Sequence, residues 1–196
     1  PVVPKIYVDL AARLTGRNLQ TIVEEPLEAL RVLVEAGRLC GADAVRQFHF
    51  PERRTRRIGE HLFEVTRSGE ILGRIDMSGG LMTRLEDPKL FDLEDERFVA
   101  FNHFWSCSRP LIPDLAAAQK MVVPGKEFYG EYGCDERQRS IVAEVDEQMA
   151  LIGDCDTATM AFLVTMRGMN QAMFDLVENG PLVHAIMEKG AEIAVE

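Results

Sequence analysis

The stretch that decides the fold is residues 149–163, which read MALIGDCDTATMAFL. Its first five residues form a short apolar run that ends in glycine, a pattern typical of a buried strand followed by a turn. Two helical patterns follow, over residues 167–179 and 182–189. In α/β folds, ligands bind at the end of the sheet where such strands finish. We therefore expect a ligand site beside Asp154 and Asp156.

Two more apolar runs, at residues 6–10 and 44–50, predict buried strands nearer the start of the chain. Between them, Asn18 is suited to cap a short helix, and Pro26 opens a longer helix with apolar residues at helical spacing. Gly41 follows that helix as a C-terminal stop. This order of elements predicts an α/β fold with a parallel sheet.

The middle of the chain has a different pattern. Two strand-like runs, at residues 61–66 and 71–77, are joined by a short turn sequence and predict a β-hairpin inserted at about residues 60–77. Residues 98–105 are rich in aromatic side chains and fit either a strand or a helix. The later part of this region predicts two helices, at residues 115–121 and 128–148.

Composition bounds the class of protein. The chain has 196 residues, of which 46% are hydrophobic and 28% are charged, as in a globular protein with a single domain spanning residues 1–196. Its formal net charge of −10 argues against nucleic acid or an anionic membrane as a partner. No apolar run reaches the length of a membrane span and no signal peptide opens the chain, so we expect a cytoplasmic protein.

The cysteine pattern predicts no metal site. The chain has four cysteines, none in a Cys-x-x-Cys pair and none with a histidine at ligand spacing: Cys40, Cys107, Cys134 and Cys155. We expect reduced thiols. Cys155 is the thiol nearest the expected site, and a small buried filler is its favoured interpretation.

Residues 149–190 resemble the uroporphyrinogen decarboxylase superfamily, which also contains cobamide-dependent methyltransferases. That family has a strand, a turn of small residues, a short helix, and then a helix that opens on a Pro-Glu-Leu-Val-His type of motif. Here the motif reads NGPLVH, at residues 179–184. The family fold is a (β/α)8 TIM barrel. The resemblance therefore implies that this chain is the N-terminal part of such a barrel, about half of it, with the hairpin as an insertion.

The resemblance also implies where a substrate would bind, and it departs from the decarboxylases at those positions. Arg13 keeps the second arginine of the family's Arg-Gln-Ala-Gly-Arg motif, but Asp9 replaces the first. Phe50 falls where the decarboxylases have an aspartate that holds the pyrrole nitrogens, and Phe162 where they have a substrate-contacting tyrosine. Losing one such electrostatic stabiliser typically costs about 10²–10³ in rate. These changes argue against porphyrin decarboxylation.

The methyltransferase branch is the closer analogy. Its members use a zinc ion, held by a His-x-Cys pair and a distant cysteine, to activate a substrate thiol. This chain has no His-x-Cys, so either the zinc ligands come from a C-terminal half of the barrel or this member handles another methyl donor or acceptor. The resemblance implies methyl transfer between a small-molecule substrate and a corrinoid held by a partner protein. Decarboxylation of a porphyrin, a lyase activity, is the alternative, and a non-catalytic barrel fragment or binding module is the third.

Individual residues carry alternative interpretations. His49, at the end of the second strand, is either a general acid/base or ligand, or a half-buried histidine bonded to a loop. Asp154 and Asp156 would each polarise the substrate or orient a cation, or would cap the next helix. Arg13 would bind a carboxylate or phosphate, or form a surface ion pair. The arginines at residues 53–57 are either an anion site or a solvated loop, and the loop is favoured.

Several apolar side chains are expected to face inward or to pack with one another, with packing favoured over a ligand pocket: Ile141, Val142, Val145, Met169, Met173, Met187, Phe101, Phe104 and Trp105. The chain begins on Pro1 and ends within a helical pattern at residues 191–196. A piece of a barrel exposes strand edges and an apolar face. We therefore expect it to pack against the C-terminal half of the same barrel or against a second copy.

Overall fold

The computed structural model describes residues 8–47, 53–66, 68–76, 82–85, 87, 90–101, 105–144, 149–153 and 160–195. These residues form a mixed α/β structure. The helices are α1 (Val8–Thr15), α2 (Leu19–Glu24), α3 (Pro26–Leu39), α4 (Glu96–Ala100), α5 (Leu115–Lys120), α6 (Lys126–Glu131), α7 (Cys134–Glu144), α8 (Met160–Arg167), α9 (Met169–Glu178) and α10 (Gly180–Val195). The strands are β1 (Ala44–Gln47), β2 (Thr55–Ile58), β3 (His61–Val65), β4 (Ile71–Asp76), β5 (Met82–Leu85), β6 (Trp105–Cys107) and β7 (Ala150–Gly153).

The chain divides into two compact units. Unit 1 comprises residues 1–81 and 130–154, and unit 2 comprises residues 82–129 and 155–196. No closed barrel is present among the described residues. None of the helices in this part of the chain is long and apolar enough to cross a membrane.

Helix α3 is the centre of unit 1, where it contacts α1, α2, α7 and β1. As predicted, Asn18 caps α2 by accepting a hydrogen bond from the Gln20 N–H, and Pro26 occupies the first turn of α3. The end of α3 is a Schellman motif, with Gly41 at φ +65° and the Ala42 N–H donating to the Gly37 carbonyl at 2.9 Å. The predicted stop at Gly41 is confirmed, and it turns the chain directly into β1.

The predicted first strand at residues 6–10 is wrong over residues 8–10, which belong to α1. Val8, Ala11 and Ala12 are buried, and their spacing of three and four residues places them on one helix face against α3. A short apolar run cannot separate a strand from a buried helix by periodicity alone. The helical spacing becomes visible only when Ala11 and Ala12 are counted with the run.

Strands β1 and β7 form a parallel pair, as predicted for the strands near residues 45 and 150. Their register aligns Ala44 with Ala150 and Gln47 with Gly153. The Ala150 N–H also donates to the Asp43 carbonyl, at 2.9 Å. Residues 48–50, the rest of the predicted second strand, lie outside the described residues.

The predicted hairpin is confirmed and has a third strand. β3 pairs with β4 and with β2, both antiparallel, and a β-bulge lies at Glu64/Val65. The β3–β4 turn is closed by the Thr66 hydroxyl, which accepts from the Glu70 N–H, and by Gly69 at φ +88°. On the inner face Arg53 and Glu64 form a buried ion pair, with 3.9 Å between the guanidinium nitrogen and the carboxylate oxygen.

Unit 2 contains the parallel pair β5–β6 and the helices that follow β7 in the chain. The aromatic region at residues 98–105, which fitted either a strand or a helix, contains part of each, because α4 ends at Ala100 and β6 starts at Trp105. Phe91, Phe98 and Trp105 pack together, with ring centroids 5.0 Å apart for Phe98 and Trp105. Phe101 packs on Phe128, at 6.0 Å. The predicted packing of Trp105 and Phe101 is therefore confirmed, and Phe104 lies outside the described residues.

Three predictions about the helices are wrong. The single helix expected at residues 128–148 is broken into α6 and α7 by Gly133, whose φ is +68°. Val142 does not face inward, because 59% of it is exposed. The methionines expected in the helix core are also exposed: Met169, Met173 and Met187, by 60%, 54% and 36%.

The contact between α3 and β1 gives the first testable prediction. A Cβ atom added to Gly37 would lie 2.5 Å from Cγ1 of Val45 and 3.5 Å from Cε of Met149. We expect Gly37→Ala to lower the free energy of unfolding by about 1–3 kcal/mol, measured by chemical denaturation, because overpacking outweighs alanine's helix propensity.

Gly130→Ala, in α6, is the matched control. A Cβ at Gly130 meets nothing within 4 Å among the described residues, so this variant should be unchanged or more stable by up to about 1 kcal/mol. Equal stability of Gly37→Ala and the wild type would contradict the close packing of α3 on β1.

Candidate functional site

The predicted site follows the carboxyl ends of β1 and β7. Because these strands are parallel and Gln47 is the register partner of Gly153, both strands end at the same edge of their sheet. The next residues along each segment carry the predicted groups: His49, Phe50, Asp154 and Asp156. These four residues lie outside the described part of the chain, so their convergence remains a prediction.

Arg13 and Asp9 both lie on helix α1, whereas Asp9 was expected within the predicted strand at residues 6–10. Asp9 is half-buried in the first turn of the helix and Arg13 is exposed near its last turn. Each charge therefore lies at the helix end where the backbone dipole favours it. Their assignment to a substrate rests on the resemblance alone.

Phe162 lies in α8, in the core of unit 2. Only 1% of its surface is exposed. Helix α8 contacts α9, α10 and β6 in this unit. Its predicted role as a substrate contact also rests on the resemblance, because the described residues bury this ring.

A buried charged cluster in unit 2 was not predicted from the sequence. Arg167, the last residue of α8, directs its guanidinium at the carboxylate of Asp175 on α9, with Nε 2.6 Å from Oδ2 and Nη2 3.2 Å from Oδ1. Its Nη1 donates to the carbonyl oxygens of Ile112 and Pro113, at 2.6 and 3.0 Å. The Gln171 amide also donates to Asp175, at 3.0 Å.

The environment of Asp175 favours its charged form. The hydrogen bonds from the Arg167 guanidinium hold the pKa of Asp175 below its usual range, against the opposing effect of burial, and the Gln171 bond acts in the same direction. The side chains of Arg167 and Asp175 are only 6% and 4% exposed. Several of the cluster's polar atoms bond to protein groups, so its chemistry is that of a structural clamp.

The clamp fixes the corner between two helices. Gly168, at φ +78°, turns the chain from α8 into α9, and the Met166 carbonyl accepts hydrogen bonds from the N–H groups of Leu111 and Ile112. The sequence contains one signal for this clamp, an Arg-Gly pair at the end of an apolar helix. An aspartate follows in the next helix, on the same face as Ala172. Ala172 is fully buried, which places Asp175 on an inward face.

Other features of the described residues do not form a site. No group of three or more histidine, cysteine, aspartate and glutamate side chains lies close enough to hold a metal ion there. Of the described cysteines, Cys40 is exposed, Cys107 is half-buried and Cys134 is buried. An open depression on α7 is lined by Asp135, Arg139, Val142 and Ala143.

Comparison with known proteins identifies no relative. No protein-family model, no curated protein and no solved structure matches this chain.

The clamp gives a prediction about pH. Because folding lowers the pKa of Asp175, the bond to Arg167 contributes full stability above the unfolded aspartate pKa of about 3.9, and this contribution is lost as the pH falls through the lower folded value. We expect Asp175→Asn to cost about 3–5 kcal/mol at pH 7, because it leaves the Arg167 charge buried without its partner.

The measurement is the free energy of unfolding by denaturant at several pH values between 7 and the acid limit of folding. The difference between wild type and Asp175→Asn should shrink toward low pH. Glu178→Gln, an exposed acid on the same helix, is the control and should change stability by less than about 0.5 kcal/mol. A difference that does not depend on pH would show that the Asp175 charge contributes nothing.

Proposed function

We propose that the chain is part of a uroporphyrinogen decarboxylase-superfamily barrel, in an enzyme that transfers a methyl group between a small substrate and a corrinoid carrier. The observation that carries the proposal is the parallel, in-register pairing of β1 and β7. In a barrel of this type, successive strands of the alternating β/α pattern pair in parallel and deliver catalytic residues from their carboxyl ends.

The order of elements after β7 supports the same family. β7 is followed by an eight-residue helix, α8, then by α9, and then by α10, which begins at Gly180 and contains the Leu182-Val183-His184 part of the motif. The family resemblance predicts a strand, then a short helix, and then a helix that opens on that motif. The structure has one helix more than this order, because α9 lies between the short helix α8 and α10. The Asn179 N–H that caps α9 donates to the Asp175 carbonyl.

The exposed apolar surface of α9 supports a larger assembly. Its buried side carries Ala172 and Asp175, whereas the other side exposes apolar residues at helical spacing: Met169, Met173, Phe174, Leu176 and Val177. On β7, Ile152 is 39% exposed as well. Parallel sheets are normally buried on both faces, and contiguous apolar patches mark interaction surfaces. The rest of a barrel, or a second copy, would cover such surfaces.

His49 and Asp154 are the proposed catalytic residues. A histidine at the end of β1 would hold or release a proton on the substrate atom that gains or loses the methyl group, since an imidazole titrates near neutral pH. An aspartate directly after β7 would orient a cationic or polar part of the substrate. Arg13, Asp9, Phe50, Asp156 and Phe162 are proposed substrate contacts by resemblance. The corrinoid, bound to its carrier, would exchange the methyl group with the substrate.

The residues present do not fit a zinc site. The chain has no His-x-Cys sequence, and its described cysteines differ in exposure and lie in no cluster of ligands. Any zinc ligands would come from a C-terminal half of the barrel.

Decarboxylation of uroporphyrinogen is less well supported. That substrate carries eight carboxylates and requires cationic groups around it. Asp9 brings a negative charge to one matched position, and Phe50 removes the carboxylate that would hold the pyrrole N–H groups. A methyl donor of low charge makes no such demand.

The proposal is tested with the chain and free reduced cobalamin. A panel of methylated amines, thioethers and aryl ethers serves as donors, and formation of methylcobalamin is followed by its absorbance. We expect turnover with one donor class, and a loss of about 10²–10⁴ in rate for His49→Ala because proton transfer is removed. Asp154→Asn should raise KM or lower kcat for the same donor.

His61→Gln, which changes an exposed histidine on β3, is the matched control and should keep the wild-type rate. Wild-type activity in His49→Ala would overturn the assignment of the base. Conversion of uroporphyrinogen without methyl transfer would establish the decarboxylase alternative. Inactivity in both assays, for the chain alone and for the chain joined to the rest of its barrel, would favour a binding module.

The apolar side of α9 gives a second test. We expect the purified chain to associate, with a mass by light scattering above its monomer mass of 22.0 kDa. Phe174→Ser combined with Val177→Glu should shift the mass toward the monomer, because it places a charge where apolar surface would be buried. Glu178→Gln is the control on the same helix. A wild-type chain that remains monomeric at all concentrations, with no binding of an apolar dye, would contradict an assembly through this face.

A further inference from the structure

Strand β2 is a short, basic edge strand. Among the described residues it pairs only with β3, so its other side presents backbone N–H and C=O groups without a strand partner. Its last three residues, Arg56, Arg57 and Ile58, are all exposed. This concentration of positive charge contrasts with the net charge of −10 of the whole chain.

The two arginines lie on opposite faces of the sheet. Arg56 is the register partner of Phe63, and Arg57 is the register partner of Leu62. Because successive side chains of a strand alternate between faces, a new strand along β2 would meet a positive charge on each face. Beyond them, Ile58 is 46% exposed and offers an apolar contact at the end of the strand.

The opposite end of β2 is held in place. The Thr55 hydroxyl donates a hydrogen bond to the Glu24 carboxylate on α2, and the Arg54 carbonyl accepts from the Val65 N–H at 2.9 Å. The edge is therefore anchored at its start, and its exposed second half is presented on an ordered ladder. A pre-ordered edge lowers the entropy lost when a strand is added.

The charges select the partner. Arginines on an edge strand disfavour pairing with a second copy of the same strand, because like charges would face each other across the new ladder. The same charges favour an acidic strand, since opposite-charge pairs across a ladder contribute about 0.2–1 kcal/mol each. The edge therefore combines rejection of self-association with attraction for one class of partner.

We propose that β2 is a docking edge for an extended acidic segment of another protein, bound by β-strand addition. The partner segment carries two consecutive acidic residues, one opposite Arg56 and one opposite Arg57, and an apolar residue opposite Ile58. Main-chain hydrogen bonds to the edge provide affinity and the charge pairs provide specificity. This inference does not depend on the proposed methyl transfer.

The test uses fluorescein-labelled peptides and fluorescence anisotropy with the whole chain. An eight-residue peptide with a central Val-Glu-Glu-Thr should bind, and the same peptide with Lys-Lys in place of Glu-Glu should not. A Glu-Glu peptide methylated on alternate backbone nitrogens should lose at least tenfold in affinity, because it cannot complete the ladder. Equal binding of the methylated peptide would reduce the interaction to charge attraction and overturn strand addition.

Charge reversal supplies the matched variants. Arg56→Glu with Arg57→Glu should weaken binding of the Glu-Glu peptide at least tenfold, and it should create binding of the Lys-Lys peptide. A circular dichroism spectrum that matches the wild type shows that the variant is folded. Arg74→Glu makes the same kind of change on β4, away from the edge, and should alter the affinity less than threefold.

Two competing outcomes are readable in the same experiment. Full displacement of the peptide by single-stranded DNA at equal charge concentration, with equal binding of scrambled acidic peptides, would identify a general polyanion surface and overturn the proposal. Loss of peptide binding as protein concentration rises, with a doubling of mass that Arg56→Glu and Arg57→Glu remove, would identify a second copy as the occupant.

Discussion

The parallel pairing of β1 with β7 constrains the rest of unit 1. Parallel neighbours cannot be joined by a tight turn, so the chain must return to the same end of the sheet before β7 begins. Here the connection spans residues 48–149 and contains the antiparallel hairpin sheet as well as the first segment of unit 2. Unit 1 is consequently built from two distant parts of the sequence, and β1 depends for its ladder on a strand that follows about a hundred residues later in the chain.

The packing of α3 makes that distant pairing possible. The Schellman motif at Gly41 reverses the chain within a few residues, which places β1 directly after the helix and against it. Gly37 allows the side chains of Val45 and Met149 to approach the helix backbone. Val45 belongs to β1 and Met149 immediately precedes β7, so one glycine receives contacts from both strand segments. A methyl group at this position would clash with Val45 and would lie at ordinary contact distance from Met149.

Two ion pairs show how burial decides what a charge contributes. Arg31 and Glu144 join α3 to α7 with two hydrogen bonds from Nε, at 2.8 and 3.0 Å, and one from Nη2 at 2.7 Å. Arg167 and Asp175 have a similar two-pronged geometry. In both pairs the arginine hydrogen bonds lower the pKa of the acid. However, the side chains of the first pair are 46% and 42% exposed, so solvent screens their charges and losing the pair costs little stability. The second pair is buried, so losing one partner leaves a buried charge without its counter-ion.

Local signals were sufficient to predict much of the fold. Asn18, Pro26 and Gly41 each act through their own backbone or side-chain chemistry, so a few neighbouring residues determine the result. The pairing of β1 with β7 was also predicted, because two buried runs of strand length leave few alternatives. The strand predicted at residues 6–10 was wrong over residues 8–10, because a buried apolar run fits either a strand or a helix. The predicted burial of the methionines of α9 was wrong, because an apolar pattern identifies an amphipathic face but does not show what covers it.

The candidate site, like the fold, could be predicted only where neighbouring residues or sequence order carry the signal. Sequence order was enough to predict that His49 and Asp154 follow neighbouring parallel strands, and the register of Gln47 with Gly153 supports that placement. The clamp of Arg167 and Asp175 could not be predicted, because its guanidinium bonds to the carbonyls of Ile112 and Pro113, more than fifty residues away in sequence. Backbone acceptors carry no side-chain signal, so a composition-based search for charged clusters cannot find them.

The two unpartnered surfaces differ in the force that would bind a partner. The apolar side of α9 would gain free energy by removing Met173, Phe174 and Val177 from water, a contribution that salt scarcely weakens. The edge of β2 would gain part of its free energy from Arg56 and Arg57, and salt screens exposed charges over about 8–10 Å at physiological ionic strength. Raising the salt concentration should therefore leave self-association through α9 intact while it weakens binding of an acidic strand to β2. Because only one of the two surfaces is sensitive to salt, each can be assigned to its own partner even when both are occupied in one complex.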